Sequence, residues 1–246
     1  MKKCVLITGG SRGIGAACAI VFAKENFNVA ITYNQKKEEA QAVKRQIENL
    51  GQKCLVLKCN LENENEIESA VKTTTETFGK IDVLVNNAAV SIDTLFQDKT
   101  ADNFRKTLNI NLVGTFLISK IVGQQMVQQK SGKIVNIAST NGLNTYYPMC
   151  LDYDASKAGL ISLTHNLAMQ FAPYVNVNAV APGFIATKSE INGMDEEFIA
   201  MEKEKIFLKR VGTEEDVANL VLFLASDKAS FINSEVVRID GGMYGS

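Results

Sequence analysis

The amino-acid sequence predicts an α/β protein built on one doubly wound parallel sheet of about seven strands, with helices on both faces. Three observations carry this. Short apolar runs of strand length alternate with helical patterns along all 246 residues. The strand segments are continuously apolar, as strands covered on both faces must be. No linker, internal repeat or low-complexity segment divides the chain, so residues 1–246 read as a single domain. A hydrophobic content of 46% supplies a core for a domain of that size.

The elements follow in order. Cys4–Thr8 reads as the first strand, with a Gly-rich turn and a helix to about Lys24 behind it. Asn28–Tyr33 is the second strand, and Lys36–Leu50 an amphipathic helix stopped by Gly51. Lys53–Cys59 is the third strand, and Glu64–Phe78 a helix stopped by Gly79. Asp82–Asn86 is the fourth strand. Thr100 is suited to cap a long helix running to about Gln129, and Gly132 is placed to break it before strand Lys133–Ala138. A helix containing Tyr153 reaches about Phe171, and Val175–Val180 is the sixth strand. Thr213 with Asp216 has capping-box spacing ahead of a helix ending near Ala225. Glu235–Asp240 is the last strand. Residues 187–209 interrupt the alternation with a polar helical stretch, placed as a lid over a substrate. Its charged run, Asp195–Lys205, reads as a solvated helix face.

Composition excludes several functions. The net charge is −1, with acids and bases interspersed. Nucleic-acid or anionic-membrane binding therefore has no electrostatic footprint. No secretory signal and no apolar run of transmembrane length is expected. The five cysteines lack metal-ligand spacing, so no metal is expected, and reduced thiols fit a cytoplasmic protein.

Thr8-Gly-Gly-Ser-Arg-Gly-Ile-Gly15 lies between the first strand and the first helix. Gly9, Gly13 and Gly15 let the backbone approach a pyrophosphate seated on the helix N-terminus. No Gly-Lys-Ser/Thr follows, which excludes a Walker-type loop. The arrangement is that of a Rossmann-like dinucleotide site. The second strand ends Ile31-Thr32-Tyr33-Asn34-Gln35-Lys36-Lys37, with no acid to hold a ribose diol before Glu38. Arg12 in the turn is placed to meet a 2′-phosphate. NADP(H) is therefore the expected cofactor.

Tyr153 and Lys157 stand four residues apart, on one face of a helix. A phenol near pH 10 is a poor acid–base catalyst, and an adjacent ammonium favours its ionised form. Tyr33 and Lys37 repeat the spacing, but they fall at the end of the second strand and just beyond it, and read as adenosine-side surface. His165, the single histidine, reads as packing or interface. Cys150, close to Tyr153 in sequence, is a candidate for the pocket lining and reads as a small buried hydrophobe rather than a nucleophile.

Taken together these motifs resemble the short-chain dehydrogenase/reductase family over the full length. Thr8–Gly15 is similar to its Gly-rich turn, and Asn86-Asn87-Ala88-Ala89 to the motif that ends its fourth strand. Asn111, Ser139, Tyr153 and Lys157 resemble its catalytic set, and Pro182-Gly183 with Ile185 and Thr187 its nicotinamide-side loop. The resemblance implies strand order 3-2-1-4-5-6-7 and hydride transfer between nicotinamide and a carbonyl carbon. It implies that Tyr153 moves the proton, that Lys157 lowers the Tyr153 pKa and holds the nicotinamide ribose, that Ser139 polarises the carbonyl, and that Asn111 holds a relay water. It also implies cofactor contacts from Gly9, Ser11, Arg12, Gly13, Ile14, Gly15, Asn34, Asn60, Leu61, Asn87, Ala88, Ala89, Tyr153, Lys157, Pro182, Gly183, Ile185 and Thr187.

Within the family the chain is most similar to the branch that reduces 3-oxoacyl chains on an acyl carrier protein in fatty-acid synthesis. The carrying residues are Ala181-Pro-Gly-Phe-Ile185, Leu208-Lys-Arg-Val-Gly212, Phe223-Leu-Ala-Ser-Asp227 and Asp240-Gly-Gly-Met-Tyr244. Lys130 is the expected contact for the acidic carrier. Ala172-Pro-Tyr-Val, where a second basic residue is expected, has none. Asn60 replaces an adenine-binding Asp, and Ala89 a glycine. The loop Thr140–Asp152, with Tyr146 and Tyr147, is bulkier than that branch's pattern. A reductase or dehydrogenase of a free ketone, sugar or polyol is the alternative. From another class, a nucleotide-binding regulator without turnover is opposed by the intact Ser139, Tyr153 and Lys157. The resemblance further implies a homotetramer of dihedral symmetry, paired through the long helix from Thr100 and the helix bearing Tyr153, and through the C-terminal helix and strand.

Overall fold

The computed structural model describes residues 2–144, 147–185, 187 and 195–243. Its sheet has seven parallel strands in the order β3-β2-β1-β4-β5-β6-β7. They are β1 Cys4–Ile7, β2 Asn28–Tyr33, β3 Cys54–Lys58, β4 Val83–Asn86, β5 Gly132–Ile137, β6 Val175–Pro182 and β7 Val236–Ile239. The helices are α1 Gly13–Lys24, α2 Lys37–Asn49, α3 Glu64–Phe78, α4 Ala101–Leu108, α5 Thr115–Gln129, α6 Leu151–Phe171, α7 Glu196–Lys205 and α8 Glu214–Leu224.

Alternation along each strand splits the interior in two. Val5 and Ile7 of β1 join Val83 and Val85 in a core shared with Phe22 of α1, Ile47 of α2 and Val221 of α8. Cys4 and Leu6, one residue out of phase, join Leu84 and Ile134 in a second core with Ile67 of α3, Val122 of α5 and Leu167 of α6. The central strands are thus apolar on both faces, which is why periodicity gives continuous runs, while β7 meets only the first core, through Val237 and Ile239.

Helix termini follow local chemistry. Thr100 accepts a hydrogen bond from the Asn103 backbone N–H at 3.1 Å, and Thr213 from that of Asp216 at 3.1 Å, both within capping boxes. Arg210 closes on Asp216 with two bonds of 2.7 and 3.0 Å.

Three expectations are corrected. The long helix contains a π-helical turn, Asn109–Gly114, between α4 and α5. Its end is not set by Gly132, which lies within β5; Lys130 takes the left-handed conformation, φ 55°. The continuous Ala101–Gln129 helix, 29 residues with an 18-residue window of mean hydropathy 1.2, is long and apolar enough to cross a membrane, and half of that window is buried inside the protein. Packing against α3 and α6 accounts for that apolarity.

Residues 188–194 of the expected lid, Tyr146 and Tyr244 lie outside the described residues. In the remaining part, α7 is capped by Asp195 and has no buried residue, as a solvated face should. The chain returning from α7 is stitched to the C-terminal segment: Phe207 N–H donates to Gly242 O at 2.7 Å and Leu208 N–H to Gly241 O at 3.2 Å.

Candidate active site

The carboxyl ends of β1, β2 and β4 open onto a cleft of about 830 Å³. This is the switch point, where strand order reverses and such sheets bind ligands. The glycine turn forms its floor. A Cβ on Gly15 would lie 2.3 Å from Gly9 O, so only glycine allows that fold of the chain. Asn87 fastens the turn to the end of β4: its Nδ2 donates to Thr8 O at 3.0 Å and Gly9 O at 2.9 Å. Thr8 Oγ1 accepts from the N–H groups of Asn87 and Ala88 at 2.9 and 3.0 Å. Arg12, the N-cap of α1, makes no side-chain cap, so the first-turn N–H groups face the cleft without one. Cleft, bare helix N-terminus and close-approach glycine fit the diphosphate of a dinucleotide.

Most of the sequence-predicted cofactor residues gather at one cleft. Gly9, Ser11, Arg12, Gly13, Ile14, Asn34, Asn60, Leu61, Asn87, Ala88, Ala89 and Thr187 line this cleft. Gly15 lies beneath it rather than in its wall. Asn60 Oδ1 accepts from Glu62 N–H at 3.2 Å, one local use of the oxygen expected to meet adenine. Tyr33, Gln35, Lys36, Lys106 and Ile110 also line the cleft. The first three follow directly from the end of β2, a signal the sequence offers; Lys106 and Ile110 come from a helix distant in sequence.

Ile14, Asn87, Ala89 and Thr187 are shared with a second cavity of about 260 Å³. Ile137, Ala138, Ser139, Tyr153, Lys157, Pro182, Gly183, Phe184 and Ile185 complete its wall. Ser139 caps a short 3₁₀ turn at the end of β5 and its Oγ accepts from Asn141 N–H at 3.2 Å, which leaves its hydroxyl hydrogen to donate. Lys157 is buried; its Nζ donates to Ile137 O at 2.6 Å and lies 5.3 Å from the Tyr153 ring centroid. Burial pulls the Lys157 ammonium down to about 8.

Asn111 does not line either cavity. It sits in the π-helical turn, where its Oδ1 accepts from Val90 N–H at 2.8 Å and its Nδ2 donates to Val90 O at 2.9 Å and Ser156 Oγ at 3.0 Å. Ser156 Oγ donates in turn to Tyr153 O at 2.7 Å. Both amide hydrogens are thus committed to protein groups. Cys150 is buried outside the walls, within 3.4 Å of Asp154 Oδ1, and its thiol is pushed up to about 12 by burial and then by that carboxylate. His165 leaves the site altogether, with Nδ1 2.9 Å from Ser234 Oγ. Lys130 is exposed at the far end of α5. Among the described residues there is no cluster of three metal-ligating side chains.

Known proteins match along the same length. A family described as Enoyl-(Acyl carrier protein) reductase matches residues 9–244. The 3-oxoacyl-[acyl-carrier-protein] reductase FabG of Staphylococcus epidermidis is 38% identical, with 99% of this chain and 100% of that protein covered. The enzyme of the same name from Aquifex aeolicus is 41% identical, covering 98% and 97%. Among solved structures, acetoin dehydrogenase YohF from Salmonella typhimurium is 30% identical with a TM-score of 0.89, covering 99% of this chain and 96% of that one. Levodione reductase is 34% identical with a TM-score of 0.89, covering 97% and 96%. Identity sustained from end to end, beyond the shared sheet, decides the matter: the chain belongs to the short-chain dehydrogenase/reductase family, and is an oxidoreductase that acts on carbonyl or alcohol carbon with a nicotinamide dinucleotide.

Proposed function

We propose that the protein is an NADPH-dependent reductase of 3-oxoacyl thioesters, of the kind carried by an acyl carrier protein. The observation that carries the reading is the junction of the two cavities, which leads from a dinucleotide-sized cleft to Ser139, Tyr153 and Lys157. Full-length relatives named for that reaction support the substrate.

The bound cofactor supplies a hydride to the carbonyl carbon. Tyr153 donates its phenolic proton to the carbonyl oxygen, and Ser139 donates a hydrogen bond to the same oxygen as negative charge develops. Lys157 keeps a cation beside the phenol, held through Ile137 O, and favours the phenolate that Tyr153 becomes. Its ammonium also reaches the nicotinamide ribose. Asn111 sets the Tyr153 turn through Ser156, and the relay water falls to the remaining acceptor capacity of that turn. Arg12 meets the 2′-phosphate, with Lys36 in the same wall. Phe184 packs edge-on against Phe198 at 6.0 Å and so couples α7, the described helix of the proposed lid, to the pocket wall.

Lys130 is the proposed contact for the acidic carrier. A cytoplasmic location is proposed, in keeping with five free, buried thiols. A homotetramer is the proposed assembly. Reduction of a free ketone is the second reading, favoured by the absence of a basic residue at Ala172–Val175 and by the likeness to levodione reductase.

Acetoacetyl thioesters, with and without the carrier, are to be assayed against a panel of ketones and polyols. Preference for the carrier-linked substrate, weakened by salt and by Lys130→Glu, is expected. A preference for a free ketone establishes the second reading instead.

A further inference from the structure

The residue immediately before Tyr153 is a buried acid whose two oxygens are both spoken for. Asp152 Oδ1 accepts from Lys99 Nζ at 2.9 Å, and Oδ2 from Thr107 Oγ1 at 2.8 Å. The Lys99 side chain is 5% exposed and that of Asp152 is fully buried. Lys99 also donates to Ile92 O. A buried ion pair is a poor source of net stability, because desolvating the two charges offsets their attraction. Its position needs another explanation.

Three segments meet at this carboxylate. Lys99 closes the loop that leaves β4 at Asn87, and Thr107 belongs to the last turn of α4. Asp152 opens α6. The same loop is held at its start by Asn111, which binds both backbone groups of Val90, and at its middle by Thr94 N–H, which donates to Met149 O at 3.0 Å. Asp152 and Ser156 lie one helical turn apart, on one side of α6. One bonds Lys99 and Thr107, the other Asn111. Tyr153 stands between them and points into the catalytic cavity.

We propose that the Lys99–Asp152 pair is a positioning device for the catalytic turn, locking the loop after β4 to the residue preceding Tyr153. Lys99 and Asp152 are positioning residues and touch no substrate. An apolar pair could fill the same volume but would not fix the loop's Ile92 carbonyl and the start of α6 to a common point. Burial raises the Asp152 carboxyl, and the bonds from Lys99 and Thr107 outweigh it and hold the group below its ordinary range, so the carboxyl is ionised at neutral pH. The proposal rests on the assignment of Tyr153 as proton donor.

The test compares Lys99→Met, Asp152→Asn and Tyr153→Phe in the full chain. Turnover is measured with NADPH and whichever carbonyl substrate the wild type reduces fastest. NADPH dissociation is followed by cofactor fluorescence, and thermal midpoints are recorded alongside. Displacing a proton donor by a fraction of an ångström to an ångström costs up to roughly a hundredfold. Lys99→Met is therefore expected to lose roughly tenfold to a hundredfold in kcat, with NADPH dissociation within about twofold of wild type. Asp152→Asn keeps an acceptor for Lys99 and is expected to stay within roughly threefold of wild type. Unchanged kcat in folded Lys99→Met overturns the proposal. So does a loss of kcat in Lys99→Met and Asp152→Asn that merely tracks weaker NADPH binding and lower midpoints, since that is a structural role. Should Lys99→Met not fold, Thr107→Val removes one hold on Asp152; lower kcat with intact NADPH binding supports the clamp, and unchanged kcat overturns it. An active Tyr153→Phe removes the reading beneath the proposal and the proposal with it. An inactive Tyr153→Phe beside a fully active Lys99→Met removes the clamp alone.

Discussion

Lys157 is where electrostatics and catalysis meet. Its pKa near 8 lies below that of a lysine in the unfolded chain, about 10.4, so the unfolded state binds more protons between those limits. The burden of a buried cation is therefore fully present below about pH 8 and is relieved as pH rises toward 10. Stability of the wild type relative to Lys157→Met should rise by about 1.4 kcal/mol per pH unit in that window. Paired thermal melts of the cofactor-free proteins at pH 7 and 9.5 would show it as a narrowing gap of several degrees; a constant gap contradicts the assignment. Tyr153→Phe should lower kcat on the order of a thousandfold while NADPH still binds, measured by single-turnover absorbance and fluorescence titration. Ser139, Tyr153 and Lys157 were legible because the motif keeps its chemistry in residue identity and spacing. Asp152 and Lys99 were not, since their partnership joins residues 53 apart and neither spacing nor charge pattern marks it.

At the scale of elements, the π-helical turn is the informative departure from sequence expectation. Apolar periodicity from Ala101 to Gln129 describes an uninterrupted helix, and a single extra residue per turn does not disturb that pattern enough to show. What the turn does is visible only in contacts: it aims Asn111 at Val90 and Ser156. Removing that amide leaves the Val90 pair and the Ser156 hydroxyl short of partners. Asn111→Ala should lose about 2–4 kcal/mol in urea unfolding, together with turnover. Strand limits were legible to within a residue or two, as hydrophobic runs bounded by glycine and capping residues allow. The end of α5 was not. Gly132 was expected to break the helix, yet Lys130 ends it in the left-handed conformation; Gly132 is small for a different reason, since a Cβ there would meet Met126 Sδ at 2.3 Å.

The whole molecule sets cofactor choice and assembly. Arg12 and Lys36 both line the cleft, so Arg12→Ala should cut the NADPH-to-NADH ratio of kcat/KM by at least roughly tenfold, with the NADH rate nearly unchanged. Phe231, in the segment that leads into β7, is fully exposed, and Met169 of α6 is 70% exposed. Sedimentation at micromolar protein should give a tetramer; a monomer contradicts it. The two-core interior has a consequence for measurement. Cys18 and Cys54 report on one core, Cys4 and Cys59 on the other, and Cys150 on the active-site loop. Each thiol is pushed to about 11 or 12, chiefly by burial, so an alkylating reagent can reach it only when its surroundings open. The natural sequence thus carries its own labels, and timed alkylation read by peptide mass would resolve the opening of each layer without adding a probe.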